Sequence, residues 1–213
     1  MAHPALSIHR RRLLAAASAS LLCIGRAAAE AEAVVSAPPA VPDEAVTVSR
    51  LGSTFTVDAV MQVAVPPALA YAVLVDFEHM TRYVPNLLQS QVLQRSADGL
   101  TVRQRGSVQW GLFTLKLDST RELHLNPPNE IRGQAISGSF KRMASQTQLA
   151  PQAGGGTQIR YHAEGEPGDW FPPFIGPAVV RRQTATQFSA MVAEMLRRQA
   201  SEGTAKAVTP PSP

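Results

Sequence analysis

The stretch STFTVDAVMQVAVPPALAYAVLVDF, residues 53–77, changes its periodicity halfway along. From Ser53 to Val65, Phe55, Val57, Ala59, Met61, Val63 and Val65 recur at every second position, the period of a β-strand with one buried face. Pro66 and Pro67 end it, because proline cannot donate to a ladder yet is tolerated in the first turn of a helix. ALAYAVLVDF therefore predicts a short helix, and Glu78 to Tyr83 a second helical turn before Pro85.

Outward from this strand and helix, alternation resumes at Leu87. Turn residues interrupt it at Ala97-Asp98-Gly99, Asn126-Pro127-Pro128-Asn129, Gly138 and Gly154-Gly155-Gly156, which divides the segment into about six strands, most simply an antiparallel meander. The glycine triplet lies in a turn with no helix after it, so it does not make a phosphate loop. A long helix is predicted from Pro177 to Gln199. Val180, Thr184, Phe188, Met191 and Met195 form one stripe of it, to face the sheet, with Arg182, Thr186, Ala193 and Arg197 opposite. Arg197 and Arg198 read as charges capping its C-terminus. Residues 30–50 and 200–213, rich in Ala, Pro and polar residues, read as linker and disordered tail. The folded unit is then 51–199, a single domain of class α+β.

The whole chain has 213 residues, 45% hydrophobic and 17% charged, with a net charge of +4, a composition that excludes a wholly disordered chain. Arg10, Arg11, Arg12 and Arg26 precede residue 30 with no acid among them, and removing residues 1–29 leaves 16 basic against 16 acidic residues. A nucleic-acid partner is disfavoured, because counterion release needs a positive field. The arginine run, the apolar run from Leu13 to Ile24 and Ala27-Ala28-Ala29 read as a signal peptide cleaved near Ala29 and export to a periplasm. The apolar run is too short to span a bilayer, and the arginines suit either twin-arginine or Sec export. The only cysteine, Cys23, lies inside this peptide, so the mature chain would carry no disulfide and no thiolate.

The segments VPPALAYAVLVDFEHMTRYVPNLLQS at 65–90, TRELHLNPPNEI at 120–131, GSF at 138–140, GGTQIRY at 155–161 and FSAMVAEMLRR at 188–198 resemble the START-like (SRPBCC) superfamily. The likeness is greatest to its polyketide cyclase/dehydrase and ubiquinone-binding START-domain branch, and it covers essentially the whole folded unit. It implies a helix-grip fold: a curved antiparallel sheet of about seven strands around the C-terminal helix, with two short helices after the first strand. It also implies an apolar cavity between sheet and helix. It does not specify function, since the superfamily includes lipid carriers, receptors and a few enzymes.

Little in the sequence demands catalysis. His124 and His162 alternate opposite the apolar faces of their strands, and His79 lies between the short helices. No spacing of His, Cys or carboxylates suggests a metal site or a cofactor. No G-x-S-x-G occurs, and Ser137 and Ser139 flank a turn glycine. Asp76 reads as a maker of local hydrogen bonds in its turn. Arg121 is the exception. It shares parity with Phe113, Leu115, Leu117, Leu123 and Leu125 and must point inward. Either a carboxylate such as Glu130 across the turn pairs with it, or it forms the polar end of an apolar pocket. The candidate ligand contacts are Trp110, Phe113, Arg121, Phe140, Tyr161, Trp170, Phe174, Phe188, Met191 and Met195. The Pro-rich aromatic stretch WFPPFIGP at 170–177 is either a lid, with transient membrane contact, or a rigid connector.

Three functions remain in view. The first is an exported module binding a lipid or isoprenoid quinone between sheet and helix. The second is a polyketide cyclase/dehydrase-type enzyme in which Arg121, Tyr161 or His79 polarises a carbonyl. The third is an envelope structural protein whose core is filled. Cyclisation needs an acid or base inside the cavity, and only Arg121 and Tyr161 point inward, so the sequence favours binding.

Overall fold

The computed structural model describes residues 41–208 except 111–112, 170 and 173–174; at 110, 113 and 205–208 it describes only the course of the backbone. The expected signal peptide, Trp170, Phe174 and the end of the chain from residue 209 lie outside the described residues. The chain divides into Met1–Ser36, also outside them, and Ala37–Pro213, to which the fold below belongs.

Eight strands and two α-helices follow one another: β1 (Val46–Leu51), β2 (Thr54–Val63), α1 (Pro67–Leu74), β3 (Leu87–Arg95), β4 (Gly99–Trp110), β5 (Phe113–Asn126), β6 (Glu130–Gly138), β7 (Phe140–Pro151), β8 (Thr157–Pro167) and α2 (Pro177–Val208). A 3-10 turn, Met80–Arg82, is the second short helix. The strands form one antiparallel sheet in the order β1-β2-β8-β7-β6-β5-β4-β3. The six strands after the helices make the expected meander, and β8 closes it by pairing with β2. Bulges in β3, at the β5–β6 pair beside Arg121 and at the β7–β8 pair beside Phe140 bend the strands they interrupt, and the curved sheet grips α2.

The alternation of β2 is realised as predicted: Phe55, Ala59, Met61 and Val63 are buried, and Asp58, Val60 and Gln62 point away from the core, with Val60 and Gln62 exposed. Pro66 is extended, Pro67 begins α1, and Ala70, Tyr71, Val73 and Leu74 are its buried face. These residues join Ile159, Ala185, Phe188, Val192 and Met195 in the main core beneath α2. A smaller cluster, Phe77, Met80, Val84, Val102 and Leu123, lies at the β3–β5 side.

Both ends of the folded unit differ from expectation. Residues 46–51, read largely as linker, are strand β1, joined to β2 by a two-residue turn in which Gly52 has φ of 61°. Val46 and Val48 carry the period-2 signal, but two residues are too few to stand out beside the Ala- and Pro-rich stretch before them. Burial of Val46 in the main core decides the matter. At the other end α2 continues past Gln199 to Val208, so the first part of the supposed tail is helix. Ala, Glu and Lys in that stretch are good helix formers, and one glycine does not terminate a helix already nucleated.

Candidate functional site

Sheet and helix do not meet everywhere. Between the inner faces of β2, β4, β5 and β8 and the first half of α2 lies a cavity of about 400 Å³, within the size range of small-molecule sites. Its walls are mainly apolar: Phe55 and Val57 on β2, Leu115, Leu117 and Leu123 on β5, and Val180, Phe188 and Met191 on α2. Phe171 and Ile175, from the loop before α2, cover one part of the wall. Phe171 meets Phe55 edge to face at 5.7 Å, and Arg50 lies over the Phe55 ring at 4.9 Å. A second hollow of about 480 Å³ lies where β6 and β7 diverge, lined by Lys141, Arg142, Glu164 and Glu166. It is charged and open, with Arg142 already paired to Glu166 at 2.6 Å, and offers no enclosed apolar surface.

Among its polar groups, those on β4 and β5 centre on Arg121. β4 and β5 pair so that Gln104 lies opposite Ser119 and Val102 opposite Arg121, which makes Gln104 the diagonal neighbour of Arg121. The Arg121 guanidinium donates to Gln104 Oε1. The Gln104 amide nitrogen donates to Ser90 Oγ at 3.1 Å and lies 3.5 Å from Met80 Sδ, so its carbonyl is turned toward the arginine. Burial, the largest influence on both groups, lowers the pKa of Arg121 and raises that of Tyr161. The guanidinium stays charged and the phenol stays neutral. Tyr161 packs edge to face on Phe188 at 5.1 Å. Ser119, on β5, and Gln183, on α2, also line the cavity, and Ser119 Oγ and Gln183 Nε2 are buried without a hydrogen-bond partner.

The residues read from sequence are distributed unevenly. Arg121, Phe140, Tyr161, Phe188 and Met191 line the cavity. Met195 does not: it is fully buried in the main core, because it lies two turns beyond Phe188, where α1 packs against α2. Trp110 and Phe113 are backbone partners in the β4–β5 register, where only the course of the chain is described. Trp170 and Phe174 fall outside the described residues. Of the two readings of Arg121, the carboxylate partner is absent among the described residues: Glu130 is held by Gln146 and Arg132 instead. Gln104 and Gln183 were not singled out from sequence. Gln104 shares parity with Val102 and Val108 on β4, a signal visible only once those valines are known to point inward.

Other polar residues serve to join elements. Arg198 binds Asp76 Oδ2 at 2.5 Å and Glu194 Oε1 at 2.7 Å, and Arg197 grips Glu194 with two bonds of 2.7 and 2.8 Å. Because α2 runs on to Val208, these arginines are not its C-terminal caps. Arg198 ties the turn after α1 to α2, while Arg197 stays within α2 and holds Glu194. Glu194 is held down at about 2, chiefly by Arg197 and then Arg198, against the penalty of burial. Burial pushes Asp76 up, but Arg198 and His79 outweigh it and its carboxyl is lowered. Tyr83 donates to the Val73 carbonyl at 3.1 Å, and burial together with the Asp76 charge pushes its phenol up to about 12. His79, His124 and His162 lie beside Asp76, Asp98 and Asp58, exposed and off the cavity wall. Among the described residues no group of three His, Cys or carboxylates could hold a metal, and no helix is long and apolar enough to cross a membrane.

Residues 54–200 match the family model for polyketide cyclase / dehydrase and lipid transport. No curated protein matches the chain. Among solved structures, one from Thermus thermophilus is 18% identical with a TM-score of 0.58 over 67% of this chain and 98% of that one. The Zhui aromatase/cyclase from Streptomyces sp. R1128 is 17% identical, TM-score 0.57, over 68% and 95%. A STAR-related lipid transfer protein from Xanthomonas axonopodis is 13% identical, TM-score 0.57, over 71% and 98%. At these identities the likeness to the structures is one of fold.

Proposed function

The chain belongs to the polyketide cyclase/dehydrase and lipid transport family and has its START-like helix-grip fold, and on that premise we propose that it is an exported binding protein for one hydrophobic molecule, a lipid or an isoprenoid quinone. The observation that carries this reading is the cavity of about 400 Å³ with mainly apolar walls and a few polar groups, Arg121 among them. Burial of apolar ligand surface, at roughly 25 cal/mol per Å², would provide affinity, and the polar groups would orient the ligand. Such a void does not suit a filled structural core.

The cyclase reading has less support. Ring closure needs a group that takes or delivers a proton inside the cavity. Tyr161 is held neutral and is a weak base. Glu164, the carboxylate on the lining, alternates outward from Tyr161 and Ala163, and its side chain is 63% exposed beside His162.

Export rests on Arg10 to Arg12, the apolar run to Ile24 and the alanines at 27–29. A carrier of this kind must exchange its cargo with a bilayer, and the aromatic stretch at 170–174 is our candidate for transient membrane contact. Native mass spectrometry with organic extraction, on protein purified from the envelope of its host, tests the reading. A stoichiometric lipid or quinone and an N-terminus at Glu30 are expected. An empty protein retaining Met1 in the cytosolic fraction would overturn both binding and export.

A further inference from the structure

The lining of the cavity holds a surplus of donors and, in Arg121, a positive charge with no described carboxylate paired to it. Arg121 brings five N–H groups, of which Gln104 Oε1 accepts from the guanidinium, and Gln104 is held in that role by Ser90. An amide carbonyl satisfies a donor but does not balance a charge. The carboxylates that topology brings near are engaged elsewhere. Asp118, on the opposite face of β5, is held by Arg103 and Arg105 at 2.8 and 2.9 Å. Glu122 is exposed on that same outer face. Glu130 is bound by Gln146 and Arg132, and Glu164 points outward toward His162.

Other residues of the lining add more donors. Ser119 Oγ and Gln183 Nε2 are buried with no partner, and both residues line the cavity with Arg121 and Tyr161. A guanidinium, two hydroxyls and an amide nitrogen around one space match a group that only accepts hydrogen bonds and is negatively charged, as an ionised carboxylate does. A quinone carbonyl accepts but carries no charge.

We infer that the ligand is an acidic amphiphile, an apolar body ending in a carboxylate that pairs with Arg121 and accepts from Ser119 or Gln183. This rests on the binding reading above and narrows it to an acidic lipid in preference to a neutral quinone. Isothermal titration calorimetry at pH 7 with decanoate and with 1-decanol, equal in length and different in charge, tests it. The wild-type protein is expected to bind decanoate at least about tenfold more tightly than decanol, the range of a charge-assisted hydrogen bond. Arg121→Gln brings decanoate affinity down to that of decanol in the same variant, removing the preference; Arg121→Lys retains part of it. Equal affinities in the wild type overturn the acidic ligand and leave the hydrophobic-binding reading intact. Binding of neither probe overturns both. A preference that survives in Arg121→Gln removes Arg121 from the role. The wild-type comparison decides the ligand class even if a variant fails to fold.

Discussion

Arg121 and Thr157 are polar side chains inside the curve of the sheet, and folding treats them differently. Thr157 is fully buried and its hydroxyl donates to the Val65 carbonyl at 2.6 Å, fastening the start of β8 to the end of the β2 segment. Arg121 has a neutral partner in Gln104 and a charge that the described residues do not balance. A buried charge without a counter-ion costs free energy that burial of its stem only partly offsets. Arg121→Leu is therefore expected to leave the ligand-free protein as stable as the wild type or about 1–2 kcal/mol more stable, read from urea unfolding midpoints at pH 7. A loss of stability would mean that the fold itself depends on the guanidinium. The inward direction of Arg121 was legible because Leu115, Leu117 and Leu123 share its parity. Gln104 was not legible as its partner, because nothing in one strand's sequence specifies the register of the next.

At the scale of elements, turns and helix ends show how far local signals reach. Gly138 ends β6 with φ of 120°, and a Cβ built there would lie 2.2 Å from the Asp118 carbonyl oxygen. Ser139 holds the same corner, its amide donating to Asp118 O at 2.7 Å and its hydroxyl accepting from Asp118 N at 2.9 Å. Gly138→Ala meets both a backbone clash and an unfavourable φ, and is expected to cost at least about 2 kcal/mol. Gly154→Ala, with φ of 90° and open space around it, bears only the conformational penalty, about 1 kcal/mol. Thermal melts of the two variants check the order, and equal losses would show that the Asp118 contact does not matter. Gly138 was readable as a turn from its place between alternating segments. The close approach that excludes a side chain there comes from β5 and was not. In the same way the stripe on α2 was readable, but its end at Val208 was not.

For the whole molecule, the clamp of Asp76, Arg198, Glu194 and Arg197 ties the α1 end of the chain to α2. Glu194 titrates at about 2 in the fold against an ordinary 4.5. Its depressed value means that the folded state prefers the carboxylate. That stability is complete above about pH 4.5 and is lost as the pH falls toward 2. A separation of this size, reduced for the exposure of Arg197, corresponds to about 2–3 kcal/mol. Glu194→Gln is expected to be less stable at pH 7 and to show a flatter loss between pH 5 and 2, measured by urea unfolding across that range. An unchanged acid limb would show that other carboxylates set it.

The sequence by itself determined the order of elements from β2 onward, the α+β class and the inward faces of β2, β5 and α2, because periodicity, proline stops and turn residues act over a few neighbouring positions. Only the tertiary structure decided that β8 closes on β2, that residues 46–51 add an edge strand, that Arg198 ties the end of α1 to α2, and that Arg121 meets Gln104 beside an unfilled space. Those outcomes depend on register between strands far apart in the chain and on how tightly a bent sheet can close on a helix, and neither is a property of any local run of residues.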